Sequence, residues 1–144
     1  MRWRAKKLNS KGVALEEKSC FTEAEKLYLR AISADRSWSV PWYNLGLLTK
    51  RQRRWQESVK FNQEALIRDP SDEASWWNLG IASTATGNWE EARRAWRGFG
   101  LDIPDGNGPL DLDLGWTPVR INPTDCGEVV WAHRIDPARV TAAR

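Results

Sequence analysis

The chain of 144 residues contains one histidine, one methionine and two cysteines. So few imidazoles and thiols leave no spaced ligand set, and neither a metal site nor a disulfide framework is expected. Cys20 and Cys126 are read as reduced thiols of a cytoplasmic protein. No run of about 18 apolar residues occurs, which excludes a membrane-spanning helix. Arg2, Arg4, Lys6 and Lys7 open the chain, but no apolar stretch follows them, so no cleaved signal peptide is expected. Neither sign of charge dominates: the net charge is +3, with +6 over residues 1–72 and −3 over 73–144. That gradient fits the scatter of a solvated helical surface, although its basic end could steer an acidic partner.

Tryptophan, by contrast, is abundant: ten residues, seven of them between Trp38 and Trp96. Their spacing is periodic. Trp42, Asn44, Leu45 and Gly46 return 34 positions later as Trp76, Asn78, Leu79 and Gly80. Trp55 returns as Trp89, Ser58 as Ala92 and Pro70 as Pro104, at the same offset. A fixed period of this size marks a stacked repeat. A degenerate first copy lies in frame, with Gly12 level with Gly46, Ala24 with Ser58 and Ala31 with Ala65. Leu8 stands at its Trp position and Arg36 at its closing Pro. Terminal copies are commonly atypical, because one of their faces meets water.

The phrase of Trp, Leu-Gly, a later small residue and a closing Pro resembles the tetratricopeptide repeat (TPR). The resemblance covers residues 5–106. It implies an all-α fold, a right-handed solenoid of three helical hairpins at about 5–38, 39–72 and 73–106. Helix A of each hairpin is expected at about Trp3–Lys18, Val40–Arg53 and Glu73–Thr86. Helix B is expected at about Thr22–Ala34, Trp55–Arg68 and Trp89–Gly98. The residues themselves agree. Trp42, Leu45, Gly46 and Thr49 recur at three- and four-residue steps and share one helix face. Gly46 and Gly80 let helix B approach where Ser58 and Ala92 are also small. Pro41 suits a first turn, and Ser71 or Asp72 can cap the helix after them. Gly87-Asn88 marks a turn; Arg53-Arg54 holds the same place without glycine.

Past Gly98 and Gly100 the chain changes character. Asp105-Gly106-Asn107-Gly108-Pro109 reads as a linker, and residues 107–144 as a short β-rich tail. Strands are expected around Leu110–Leu114, Val119–Ile121 and Val129–Ile135, with a turn over Asn122–Gly127. Two or three strands alone are marginal. Leu110, Leu112, Leu114, Val130 and Trp131 are therefore expected to cover Trp89, Trp96 and Phe99, within the chain or across a homodimer. No closing helix follows, so the last repeat is covered by this tail or by a partner, or the sequence is a fragment.

The resemblance implies a non-catalytic scaffold that binds a protein or peptide along a groove lined by the A helices. The positions it assigns to that groove include Tyr43, Asn44, Leu47, Lys50, Arg51, Trp77, Asn78 and Ile81. Tyr43 and Trp77 offer aromatic contact area. Asn44 and Asn78 can pair with a peptide backbone, and Lys50 and Arg51 with an acidic side chain. One TPR class grips a C-terminal carboxylate with two Lys, one Arg and two Asn. The matching positions here hold Asn9, Val13, Asn44, Ala74 and Asn78, so the cationic clamp is absent. The alternative is an RNA-binding helical repeat using Lys50-Arg51-Gln52-Arg53-Arg54-Trp55 and Arg2-Trp3-Arg4. Catalysis would rest on Cys126 and His133, with no third orienting group, and is not expected. No cofactor is called for. Asp111 and Asp113 lack the glycine and glutamate spacing of a calcium loop.

Overall fold

The computed structural model describes residues 1–110 and, beyond them, the backbone of 117–120 and 131–134. Six helices follow in order: α1 (Arg2–Glu17), α2 (Phe21–Ala34), α3 (Ser39–Arg51), α4 (Trp55–Arg68), α5 (Glu73–Thr86) and α6 (Trp89–Phe99). Each odd helix packs chiefly on the even helix after it, and α4 then carries α5, as α2 carries α3. The repeat region is thus an all-α stack of three hairpins, at the period the sequence shows.

The repetition extends to backbone detail. The turn inside each hairpin places its residue in the left-handed region: Ser19 at φ 59°, Arg53 at φ 60° and Gly87 at φ 71°. The next amide reaches back five residues each time, Cys20 to Leu15 O, Arg54 to Thr49 O and Asn88 to Ser83 O, at 2.8, 2.8 and 3.0 Å. These bonds satisfy carbonyls that the helix end leaves open. The Arg53 turn therefore matches the Gly87 turn without the glycine that sequence reasoning looks for. Between hairpins, the Trp42 indole donates to Arg36 O at 3.2 Å, and its repeat mate Trp76 donates to Pro70 O at 2.8 Å. The Asp72 side chain caps α5 by accepting from Ala74 N at 3.2 Å, whereas the Ser71 hydroxyl turns back to Asp69 at 2.6 Å.

Helix A meets helix B at a glycine notch. A Cβ built on Gly12 would lie 2.7 Å from the Tyr28 ring, one on Gly46 2.5 Å from Asn62, and one on Gly80 2.7 Å from the Trp96 ring. Tyr28, Asn62 and Trp96 are themselves 34 residues apart. One structural position therefore carries three different side chains against the same missing one. Gly98 does not break α6. The helix runs on to Phe99, and the Trp76 ring fills the room where a Cβ on Gly98 would be 2.4 Å from it.

Two sequence expectations need correction here. Trp96 is not on an outer face: it has no exposed surface, because it lies in the notch of Gly80. Cys20, at the start of α2, is disulfide-bonded rather than a reduced thiol. A disulfide belongs to oxidising surroundings, so this thiol no longer argues for a cytoplasmic location. The other cysteine, Cys126, lies outside the described residues.

Ile103 and Leu110 close the third hairpin, packing in one cluster with Ile81, Ala92 and Trp96. Leu110 thus covers the last repeat as expected of the tail. Beyond it, β1 (Thr117–Arg120) and β2 (Trp131–Arg134) pair antiparallel, with Thr117 opposite Arg134 and Arg120 opposite Trp131. Among the described residues the β structure is limited to these two strands of four residues each, which does not support the β-rich tail expected from the sequence. The strand expected at 112–114, the turn at 122–127, and the side chains of Val130, Trp131 and His133 lie outside the described residues.

Candidate binding face

The binding residues expected from sequence fall on α3 and α5, and the structure sorts them into two groups. The first group lies between α1 and α3. A cavity of about 250 Å³ opens there, lined by Val13, Tyr28, Asn44, Leu47 and Arg51, with Glu16 and Glu17 at its side. Asn44 Nδ2 donates to Asn9 Oδ1 at 2.9 Å, and Arg51 Nη1 donates to Glu16 Oε1 at 3.0 Å. Tyr28 donates its hydroxyl to the same Glu16. Burial, then Glu16, raises the Tyr28 phenol, so it stays a neutral donor. Leu47 is half-buried and Val13 exposed, which puts apolar surface between the polar groups. Tyr43 packs half-buried against the core of the first two hairpins. Burial raises its phenol, and the charge of Asp72 adds to the effect.

The second group is covered. Ile81, level with Leu47 in the repeat, has no exposed surface. Its expected contact with a ligand is corrected: Ile103 and Leu110 pack in its cluster, which the repeat pattern alone does not foresee. Trp77 stands edge-on to Trp96 at 5.3 Å and against Phe99 at 4.9 Å, so it packs rather than projects. Asn78 is 3% exposed; its Oδ1 accepts from Lys50 Nζ at 2.8 Å, and its Nδ2 is enclosed without a partner. Lys50 therefore bridges α3 to α5. Burial, with the positive charge of Arg51 beside it, lowers its ammonium to about 8.

The basic run at the end of α3 is largely engaged inside the fold. Lys50 and Arg51 are bound as described, and Arg54 holds Glu25 at 2.8 Å and also pairs with Glu57. Glu25 first, then Glu57, strengthen the hold of Arg54 on its proton. A nucleic-acid phosphate would have to displace these carboxylates. No described helix is long and apolar enough to cross a membrane.

Sequence reasoning does not place Tyr28 in the site. Its signal is nonetheless present, since Tyr28 stands one repeat before Asn62.

With the hairpins, the glycine notches and the A-helix face in view, the fold is that of a TPR array. No protein-family profile and no curated protein matches the chain. Among solved structures, it is similar to the second TPR domain of Spaghetti (RPAP3), determined bound to the HSP90 peptide SRMEEVD. The TM-score is 0.65 at 20% identity, over 68% of this chain and 91% of that one.

Proposed function

We propose that this chain is a non-catalytic scaffold that binds a protein or peptide segment in the cavity between α1 and α3. The observation carrying the reading is that cavity, where Leu47 and Val13 lie beside Asn44 and the Arg51–Glu16 pair. Apolar surface flanked by backbone-pairing and charged groups is what a peptide segment needs. The likeness in fold to a peptide-bound TPR domain supports the class of ligand. The ligand proposed is not a C-terminal carboxylate, because none of the three cations such a clamp requires is present among Asn9, Val13, Asn44, Ala74 and Asn78. Tyr43, Asn44, Leu47 and Arg51 are the contact residues of this proposal. Lys50 and Asn78 are read as the bridge that sets the face, and Trp77 and Ile81 as its support. The division at residue 106, and a homodimer formed through the tail, belong to the same proposal; light scattering on the full chain reads the latter.

The test selects peptides on the full chain from a random display library and measures their affinity. Asn44→Ala and Leu47→Glu are expected to weaken binding about tenfold or more, with the thermal midpoint unmoved. If only Gln63→Ala, on α4, weakened the selected peptides, the assignment to this face would be wrong.

A further inference from the structure

The last hairpin carries a second cavity, which shares no residue with the first. It measures about 740 Å³ and is lined by Arg93, Arg94, Arg97, Asp105, Gly106 and Asn107, with Glu90 at one side. Its three guanidinium groups come from α6. Arg93 and Arg97 are one turn apart and both face the segment after the helix. Arg97 donates to Ile103 O at 2.9 Å and pairs with Asp105 at 2.7 Å. Arg94 pairs with Glu91 across the turn.

Arg93 differs from both. It is only 8% exposed, its Nε donates to Pro104 O at 3.4 Å, and its Nη1 is enclosed without a hydrogen-bond partner. Carboxylates pair with Arg94 and Arg97, but among the described residues none pairs with Arg93. A buried charge without a counter-ion is costly, and guanidinium forks match oxyanions in shape. Access also exists on the cavity side. A Cβ on Gly106 would sit 3.2 Å from Arg93 Nη2, so the missing side chain leaves the edge of the fork open. The carboxylate of Asp105 is 99% exposed, so its hold on Arg97 is screened by water and readily exchanged.

We propose that this cavity binds an oxyanion, a carboxylate or phosphate group carried on a larger ligand. Arg93 supplies the charge, and Arg94 and Arg97 form the rim. The cavity is much larger than a bare ion, which leaves room for the body of the ligand. Nothing in this proposal depends on the peptide face of α1 and α3.

The test titrates the full chain with sodium phosphate and, separately, sodium acetate, at ionic strength held constant with sodium chloride. The amide signals of Gly106 and Asn107 are followed by NMR. A saturable shift with at least one of the anions is expected, and the tighter of the two identifies the group. In Arg93→Met the affinity should fall about tenfold or more, the loss of a charged hydrogen bond. Arg94→Gln, on the exposed rim, should also weaken binding, and it provides the test if Arg93→Met does not fold. No saturable shift with either anion, or titrations unchanged in the variants, would overturn the proposal.

Discussion

Replacing Gly80 by alanine adds one methyl group at the closest point between α5 and α6. That carbon would lie 2.7 Å from two ring atoms of Trp96 and 2.8 Å from a third. Carbon atoms attract best at about 3.5–4.0 Å, so roughly 1 Å of retreat is needed. Trp96 cannot easily retreat. It is fully buried, its indole N–H is bonded to Thr84 Oγ1 at 3.0 Å, and Trp77 blocks it at 5.3 Å. Overpacking of this kind costs about 1–3 kcal/mol, and a strained Trp96–Thr84 bond about 0.5–1.5 kcal/mol more. Alanine returns about 1 kcal/mol of helix propensity. The net expectation is a loss of about 1–3 kcal/mol, seen as a fall of roughly 4–15 °C in melting temperature. Urea and thermal melts followed by circular dichroism read it directly. Gly108→Ala is the control, since nothing lies within 4 Å of a Cβ there. A Gly80→Ala variant as stable as the parent would refute the notch and, with it, the pairing of repeat positions across the three hairpins.

Other consequences are as direct. Ser19 holds a left-handed conformation at φ 59°, which glycine adopts without cost, so Ser19→Gly should stabilise by about 0.5–1 kcal/mol in urea melts; a destabilised variant would contradict the turn. Lys50 is lowered in the fold from its ordinary 10.5 to about 8, so the unfolded chain binds more protons between those values. The folded state should therefore gain stability relative to Lys50→Met as pH rises through that window, by at most about 3 kcal/mol, and below pH 8 the difference should be flat. Parallel stability curves for the two proteins from pH 7 to 10.5 would show that Lys50 is not buried as described.

Much of the fold is legible in the sequence because the repeat writes the same instruction three times. Trp42 with Leu45 and Gly46 predicts helix spacing, and the copy at Trp76, Leu79 and Gly80 fixes the register independently. The less legible parts are those where tertiary contact overrides local chemistry. Arg53 carries no turn signal, yet the five-residue bond from Arg54 to Thr49 forces it into the same geometry as Gly87. Gly98 reads as a breaker, but the Trp76 ring makes it part of a helix. The binding face is less legible still. Asn44, Leu47 and Arg51 line a cavity. By contrast, Ile81 has the same repeat address as Leu47 and is buried by residues 22 and 29 positions away, Ile103 and Leu110. A repeat pattern states which way a side chain points, not what the chain later lays over it.

The notch also fixes what can be exchanged between hairpins. Behind Gly12 a phenol donates to Glu16, and behind Gly80 an indole donates to Thr84, while behind Gly46 stands Asn62, and the level position on α3 is Lys50. Grafting α6 in place of α4 would turn an indole N–H toward an ammonium, donor against donor, with no acceptor between them. Exchanging α5 and α6 together carries the acceptor along with the donor. The cassette that can be cut and moved is therefore the hairpin, and a chimera joined inside one inherits half of a hydrogen bond.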